Sequence, residues 1–312
     1  MISTYLTVVT GRSITTAKHM SDITVINDSE QSSLVTNGLA KNGELYLKAD
    51  GSTDAGAIVV YDSGSWRTFA NEAVSFQNGY ALNFDGTNDY LDTGSNFSST
   101  FQSDFTISTW FKRNEISATR TLFGHDYRVG GKHIVRSYYT SSSLYFDLHI
   151  ASARAFAGLS HTADTNWHHL VVSASQSGGS VVTKMYLDGV YKTTASVTAS
   201  LSNYVSAINL GIGAALESIG AFSYSNAKQD EFAIFGSALS DGSVSTGQTA
   251  SGDIATLYNS GVPGDISSLS PVAWYRMGDN DSGSGTTITD QGSGGNDATL
   301  TNGPTFSTDV PS

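Results

Sequence analysis

The chain has no cysteine and only 4 prolines among its 312 residues. Without thiols there is no disulfide framework and no thiolate metal site, so stability must come from a packed core, from metal held by oxygen, or from association. Charge is scarce as well: 14% of residues are charged, against about 25% in an ordinary globular chain. The 16 basic residues are outnumbered by 28 acidic ones, for a formal charge of −12. Phosphate recognition needs clustered Lys and Arg, so a nucleic-acid partner is excluded, and an anionic membrane is excluded for the same reason. No stretch reaches the ~18 apolar residues of a membrane helix. Met1 to Met20 lacks the basic start and apolar run of ~7–15 residues of a secretory signal. The expectation is a soluble protein that does not use the general secretory route. Helical heptads are missing too, which excludes a coiled coil or helix bundle.

What is present is turn chemistry. The 32 glycines, with abundant Ser, Thr and Asn, suit short strands joined by tight turns, and the length allows one large sandwich plus a smaller module. Residues 1–40 read as an irregular polar arm with short β-branched pieces at Leu6–Thr10 and Ile23–Ile26. Glu44–Lys48, Ala57–Tyr61 and Ser65–Phe69 read as a three-stranded meander, too small to be stable alone. Its Leu45, Leu47, Ile58, Val60, Trp66 and Phe69 need a second surface to cover them.

From Tyr80 onward, strands alternate with period two. In Phe105–Phe111 that period puts Phe105, Ile107 and Phe111 on a core face and Trp110 on the other, with Thr106 and Ser108. Trp167–Val172 is a further strand. Met185–Tyr191 reads as two strands joined by Asp188-Gly189, the residues a type I′ hairpin turn prefers. Asp253–Asn259 reads as one or two helical turns with Asp253 as cap and Gly261 and Pro263 as the stop.

Taken in order, Asn83-Phe84-Asp85-Gly86, Asp89-Tyr90-Leu91, Phe105–Phe111, Trp167-His168-His169-Leu170-Val171, Tyr186-Leu187-Asp188-Gly189, Asn209-Leu210-Gly211-Ile212-Gly213, Asp230–Phe235, Ala238-Leu239-Ser240 and Leu257–Gly261 resemble the laminin-G-like domains of the concanavalin A-like superfamily. The resemblance implies an all-β fold, an antiparallel β-sandwich jelly roll of two curved sheets. Val272–Arg276, Gly285–Asp290 and Asn296–Leu300 look like the strand and loop that open such a domain, yet here they come last. Either the domain is circularly permuted or a second copy starts and stops, and permutation is the favoured reading. The expected division is therefore 1–75, arm and meander for anchoring and oligomerisation, and 76–312, the jelly roll, with 271–312 supplying the permuted strand. Gly43–Lys48, Ile58–Asp62 and Ser65–Phe69 are similar to small modules in virion proteins of tailed phages, notably marine and cyanobacterial ones.

The two resemblances together imply a phage virion structural protein, a capsid decoration, head fibre or tail fibre or spike, made in the host cytoplasm. Its expected partners are other virion proteins through the N-terminal region, sister subunits in a homo-oligomer with a trimer as one state, and host surface glycans. No membrane insertion and no enzymatic activity are expected. The alternatives are a free carbohydrate-binding lectin-like module and, behind it, a glycoside hydrolase.

Members of the superfamily bind calcium at a loop rim, and Asp85, Asn88, Asp89 and Asp92 form an oxygen-rich cluster of the kind a hard cation needs. The same residues serve equally as turn formers. Asp279, Asn280, Asp281 and Asp290 form a second cluster. Glycoside hydrolysis needs two carboxylates facing one another across a cleft. In Asp230–Phe235 each acid shares its face with apolar residues, so no catalytic residue is assigned. His168 and His169 point to opposite faces of one strand and read as structural, and no His-x-x-x-His spacing suggests zinc. Trp66, Tyr90, Tyr127, Tyr138 and Tyr139 would stack on sugar rings if exposed, and no glycan-binding residue is singled out among them.

Overall fold

In the computed structural model the chain divides into two compact units, Met1–Ser75 and Phe76–Ser312. The structure describes residues 76–127 and 131–312, with Tyr127 by its backbone alone, and the backbone of six strands before them. In the first unit Tyr5–Thr10 and Ser13–His19 form an antiparallel hairpin. A four-stranded sheet runs in the order Thr24–Ile26, Leu45–Lys48, Ile58–Asp62, Ser65–Phe69, its first pair parallel and the rest antiparallel. Within 1–40, residues 5–10, 13–19 and 24–26 are strands, more regular than the expected arm with short β-branched pieces, and the rest of that stretch lies outside the described residues. Val8, Val9, Thr10, Ile14, Thr15 and Thr16 are β-branched and favour extended backbone, and that preference prevails over the polar surroundings. The side chains of the meander, Trp66 included, lie outside the described residues.

The second unit is a sandwich of two sheets. One has eight strands, in the order Val190–Thr198, Ser180–Leu187, Trp167–Ser177, Phe105–Arg113, Asn226–Phe235, Ala81–Asp85, Thr305–Ser307, with Ala273–Tyr275 also paired to Asn226–Phe235. The other has ten, running Ala153–Ser160, Ser143–Ala151, Lys132–Tyr139, Arg120–Tyr127, Gly211–Ile212, Tyr90–Asp92, Ala298–Thr301, Thr287–Ile288, with the small hairpin Ala215–Glu217 and Gly220–Phe222 attached at Arg120–Tyr127. The last forty residues thus contribute strands to both sheets. Residues at the start of the unit meet them: Asp279 Oδ1 accepts from Gly79 N–H and Tyr80 N–H at 2.8 and 2.9 Å, and Asn78 Nδ2 donates to Pro311 O at 3.3 Å.

Alternation builds the core. Leu82, Phe84, Phe105, Ile107 and Phe111 from the eight-stranded sheet pack with Phe123, Val135, Phe146, Leu148 and Ile212 from the ten-stranded one, all fully buried. The opposite face of the eight-stranded sheet is buried as well. Val171, Tyr186, Ala233, Phe235 and Trp274 form a second cluster there with Ile254 and Leu257 from the helix Gly252–Tyr258 and with Ile266. Trp110 therefore lies inside, stacked with Tyr258 at 5.9 Å. The helix is capped differently from the expectation: Ser251 is the N-cap residue, and Asp253 sits in the first turn with Oδ2 accepting from Ser240 N–H and Oγ–H. Asp188 and Gly189 both have positive φ, 53° and 72°, as a type I′ turn requires.

Candidate functional site

The strand Tyr90–Asp92 lies between Gly211–Ile212 and Ala298–Thr301 in the ten-stranded sheet, so Leu91 turns into the core while Tyr90 and Asp92 remain half-buried on the outer face. Beside them the segment 205–210 is pinned to residues 93–98. Thr93 Oγ1–H donates to Leu210 O at 2.8 Å, Leu210 N–H to Ser95 O at 2.8 Å, and Ser206 N–H to Ser98 Oγ at 2.7 Å. The hairpin Ala215–Phe222 forms the third wall. Together they enclose an open cavity of about 300 Å³ lined by Tyr90, Asp92, Asn209, Leu216, Glu217 and Ser218 among others.

Its polar groups are held in place before any ligand arrives. Asp92 Oδ1 accepts from Asn209 Nδ2 at 3.0 Å and from Gly94 N–H at 2.9 Å. Ile219, at the tip of the hairpin, is 91% exposed. The volume lies at the lower end of the range of small-ligand sites, and the polar groups are few and fixed.

Of the other aromatics named from the sequence, the side chains of Trp66 and Tyr127 lie outside the described residues, and Tyr138 and Tyr139 lie elsewhere. Tyr139 is buried, with the Arg113 guanidinium over its ring at 4.5 Å. Tyr138 stacks on Tyr145 at 4.9 Å, and Tyr145 on Phe156 at 5.2 Å, while Arg136 and Arg154 cover Tyr138 and Phe156. Their ring faces are already taken by neighbours. Asp147 ties this row together through Arg154, Arg136 and His149. Burial opposes its charge, but His149 and Arg154 outweigh burial and hold its pKa at about 2.

Of the four residues named for a hard cation, Asp85 Oδ1 accepts from Thr87 N–H at 2.7 Å and Asp89 Oδ2 from Asp85 N–H at 3.2 Å. Burial raises the Asp89 carboxyl, the Asp85 N–H draws it back, and the Asp85 charge adds to the rise. Asn88 accepts through its carbonyl from Asn302 Nδ2 at 2.9 Å, and Asp92 belongs to the cavity. Among the described residues the group bringing three His or acidic side chains within 4.8 Å of one another is His161, Asp164 and His168, not Asp85, Asp89 and Asp92. The second acidic cluster holds loops together: Asp281 accepts from Thr289, and Asp290 from Trp274, Gly292 and Asn296 N–H groups.

Two buried constellations were not legible in the sequence. A β-bulge between Asp230 and Ala233 puts Glu231 at φ 47°, which breaks the alternation that had separated the two acids. Glu231 then accepts from Trp274 Nε1 at 2.5 Å and from Arg276 Nε at 3.0 Å. Burial pushes its carboxyl up to about 7, with Arg276 pulling it back. Beside it Ser108 Oγ and His169 Nε2 are 2.8 Å apart, the spacing of a nucleophile and its base. The space that Ser108, His169 and Glu231 line is about 10 Å³, room for one water and no substrate.

The fold and the cavity can be set beside known proteins. No curated protein sequence matches the chain. A protein of Bacteroides ovatus, named as a candidate carbohydrate-binding protein, is similar at 17% identity with a TM-score of 0.50, over 87% of this chain and 71% of that one. The CBM40 module of the Ruminococcus gnavus IT-sialidase aligns at 12% identity and a TM-score of 0.40, over 52% of this chain and 94% of that one. Mouse laminin α1 domains LG4-5 align at 16% and 0.38, over 57% and 48%. At these identities the likeness concerns the fold alone. The sequence profile of the laminin-G type within the concanavalin A-like lectin and glucanase superfamily matches residues 85–245, more than half of the chain, and the chain belongs to that superfamily.

Proposed function

We propose that the sandwich is a non-enzymatic saccharide-binding module that takes its ligand in the Tyr90–Glu217 cavity. The observation that carries this reading is the pinned Asp92–Asn209 pair beside the Tyr90 ring in an open cavity of about 300 Å³. Saccharides present hydroxyls to carboxylates and amides, and apolar C–H faces to aromatic rings, so one ring with a fixed carboxylate and amide suits them. Preorganisation lowers the ordering cost of binding. Against hydrolysis stands Glu231, whose raised carboxyl is the kind a general acid requires. It is 5% exposed and held by Trp274 and Arg276, where no glycosidic bond can reach.

The finer reading is a virion structural protein of a tailed phage, anchored and oligomerised through residues 1–75, with the sandwich displayed toward host glycans. It rests on the similarity of Gly43–Phe69 to phage modules. Calcium at Asp85, Asn88, Asp89 and Asp92 is a separate proposal, supported by the adjacent Asp85 and Asp89 charges, which a cation would offset. Its check is whether millimolar calcium raises the melting temperature over chelator, and whether Asp85→Ala with Asp89→Ala removes the rise.

The test of the saccharide reading is a glycan array probed with the full chain and with Tyr90→Ala and Glu217→Gln. Binding to a defined set of saccharides that falls at least ~10-fold in both variants is expected, about 1.4 kcal/mol. No binding across the array, or binding indifferent to both changes, rejects the cavity.

A further inference from the structure

The segment between Ala153–Ser160 and Trp167–Ser177 carries a side-chain cluster that the saccharide reading does not use. His161 follows the first strand, and its N–H donates to Ser142 O at 2.9 Å; Ala163 N–H donates to Ser141 O at 3.2 Å. These bonds fix the loop against its neighbour, and Asn166 N–H closes a turn on Asp164 Oδ1 at 2.8 Å. His161, Asp164 and His168 each bring one ligand atom within 4.8 Å of the other two. The His161 and His168 rings meet edge to face with centroids 4.6 Å apart. His161 Nε2 is buried with no hydrogen-bond partner, an orphan that burial makes costly.

Behind His168 lies the arrangement that orients a metal-bound imidazole. Its Nδ1 is 2.8 Å from Asp188 Oδ2, and Asp188 Oδ1 accepts from His169 N–H at 2.9 Å. A carboxylate on the far nitrogen fixes the tautomer and ring angle of a ligating histidine. His168 Nε2 faces Asp164 Oδ1 at 3.0 Å. We infer that His161, Asp164 and His168 form a binding site for one divalent transition-metal ion of the zinc class, with Asp188 orienting His168. Two imidazoles and a carboxylate suit zinc and its neighbours rather than calcium or magnesium, which take oxygen. Zinc bonds of ~2.0–2.2 Å put tetrahedral ligands about 3.3–3.6 Å apart, close to the spacing of the three ligand atoms, which lie within 4.8 Å of one another with His168 Nε2 and Asp164 Oδ1 at 3.0 Å. Asp164 and Asp188 supply negative charge; Arg113, which interacts with His161 and Asp164, opposes it. Three protein ligands leave a fourth position open, on the side where the Asp164 side chain is 40% exposed.

The experiment is calorimetric titration of the untagged, chelator-stripped full chain with zinc chloride, alongside His161→Ala and Asp164→Asn. Thermal unfolding of the metal-free variants verifies that both fold, and cobalt(II) is used as a spectroscopic probe. One zinc per chain at micromolar affinity or tighter is expected, at least ~10-fold weaker in either variant, with tetrahedral cobalt absorption in the wild type and no heat from calcium at this site. No stoichiometric zinc binding, or binding equal in the wild type and both folded variants, overturns it.

Discussion

Glu231 shows what one residue does when a strand departs from its period. Its carboxylate joins Trp274 and Arg276 across the seam where Ala273–Tyr275 pairs with Asn226–Phe235. Removing one member of a buried ion pair costs about 3–5 kcal/mol because the other charge stays behind unpaired. Glu231→Ala is expected at the lower end, since Asp279 also holds Arg276 at 3.1 Å; Glu231→Gln, which keeps an acceptor, is expected to lose less, both read by urea unfolding. His125 behaves oppositely to a surface histidine. It is fully buried against Tyr204, and burial lowers its pKa to about 3. The unfolded chain takes up a proton near pH 6.5 that the folded chain refuses. The contribution of His125 is thus present above ~6.5 and is lost as pH falls toward 3, and nitrogen NMR is expected to find its ring neutral at pH 5. Neither residue was legible beforehand. Asp230 and Glu231 alternate with apolar neighbours as a regular strand would, and nothing local marks a bulge. His125 has no neighbour in sequence that announces Tyr204.

At the scale of elements, the hairpins were the legible part. Asp188-Gly189 sets the turn because both positions need positive φ, and the strands Ser180–Leu187 and Val190–Thr198 follow from it. Gly189 carries a second constraint that only the fold reveals: a Cβ there would come 2.5 Å from Tyr258 Cδ1. Gly189→Ala is therefore expected to cost more than the ~1 kcal/mol of backbone strain alone and to lower the melting temperature visibly, whereas Gly178→Ala, with φ 57° and nothing within 4 Å, should cost only the strain. Phe105–Arg113 was half legible. Period two identified Phe105, Ile107 and Phe111 as core, but the partners of Thr106, Ser108 and Trp110 on the other face, Ser237, His169 and Tyr258, come from far along the chain, which no local pattern shows. The His161–His168 pair escaped for a related reason, since the two lie seven positions apart and a loop, not a helix face, brings them together.

For the whole molecule, the placement of the C-terminal segment decides the architecture. Ala273, Tyr275, Met277, Ile288 and Ala298 belong to the inter-sheet core, and the strands Ala273–Tyr275, Thr287–Ile288 and Ala298–Thr301 pair into both sheets. Under the proposed permutation, deleting Pro271 to Ser312 strips core and opens sheet edges, and the truncated chain is expected to be insoluble; a soluble, cooperatively folding truncation would favour a dispensable second copy. The proposed assembly through residues 1–75 predicts that the full chain has an oligomeric solution mass and that a chain beginning at Phe76 is monomeric. The family was readable from motifs spread between Asn83 and Gly261, but the cavity was not, because its walls meet from strands and loops over 100 residues apart. The saccharide reading of that cavity is the central claim, and a crystal structure with a saccharide retained by the array tests it most directly. The account predicts the sugar seated against Tyr90, with hydroxyls on the Asp92–Asn209 pair and Glu217. A sugar ordered elsewhere, on the Tyr138–Tyr145–Phe156 row for instance, with the cavity empty, would contradict it.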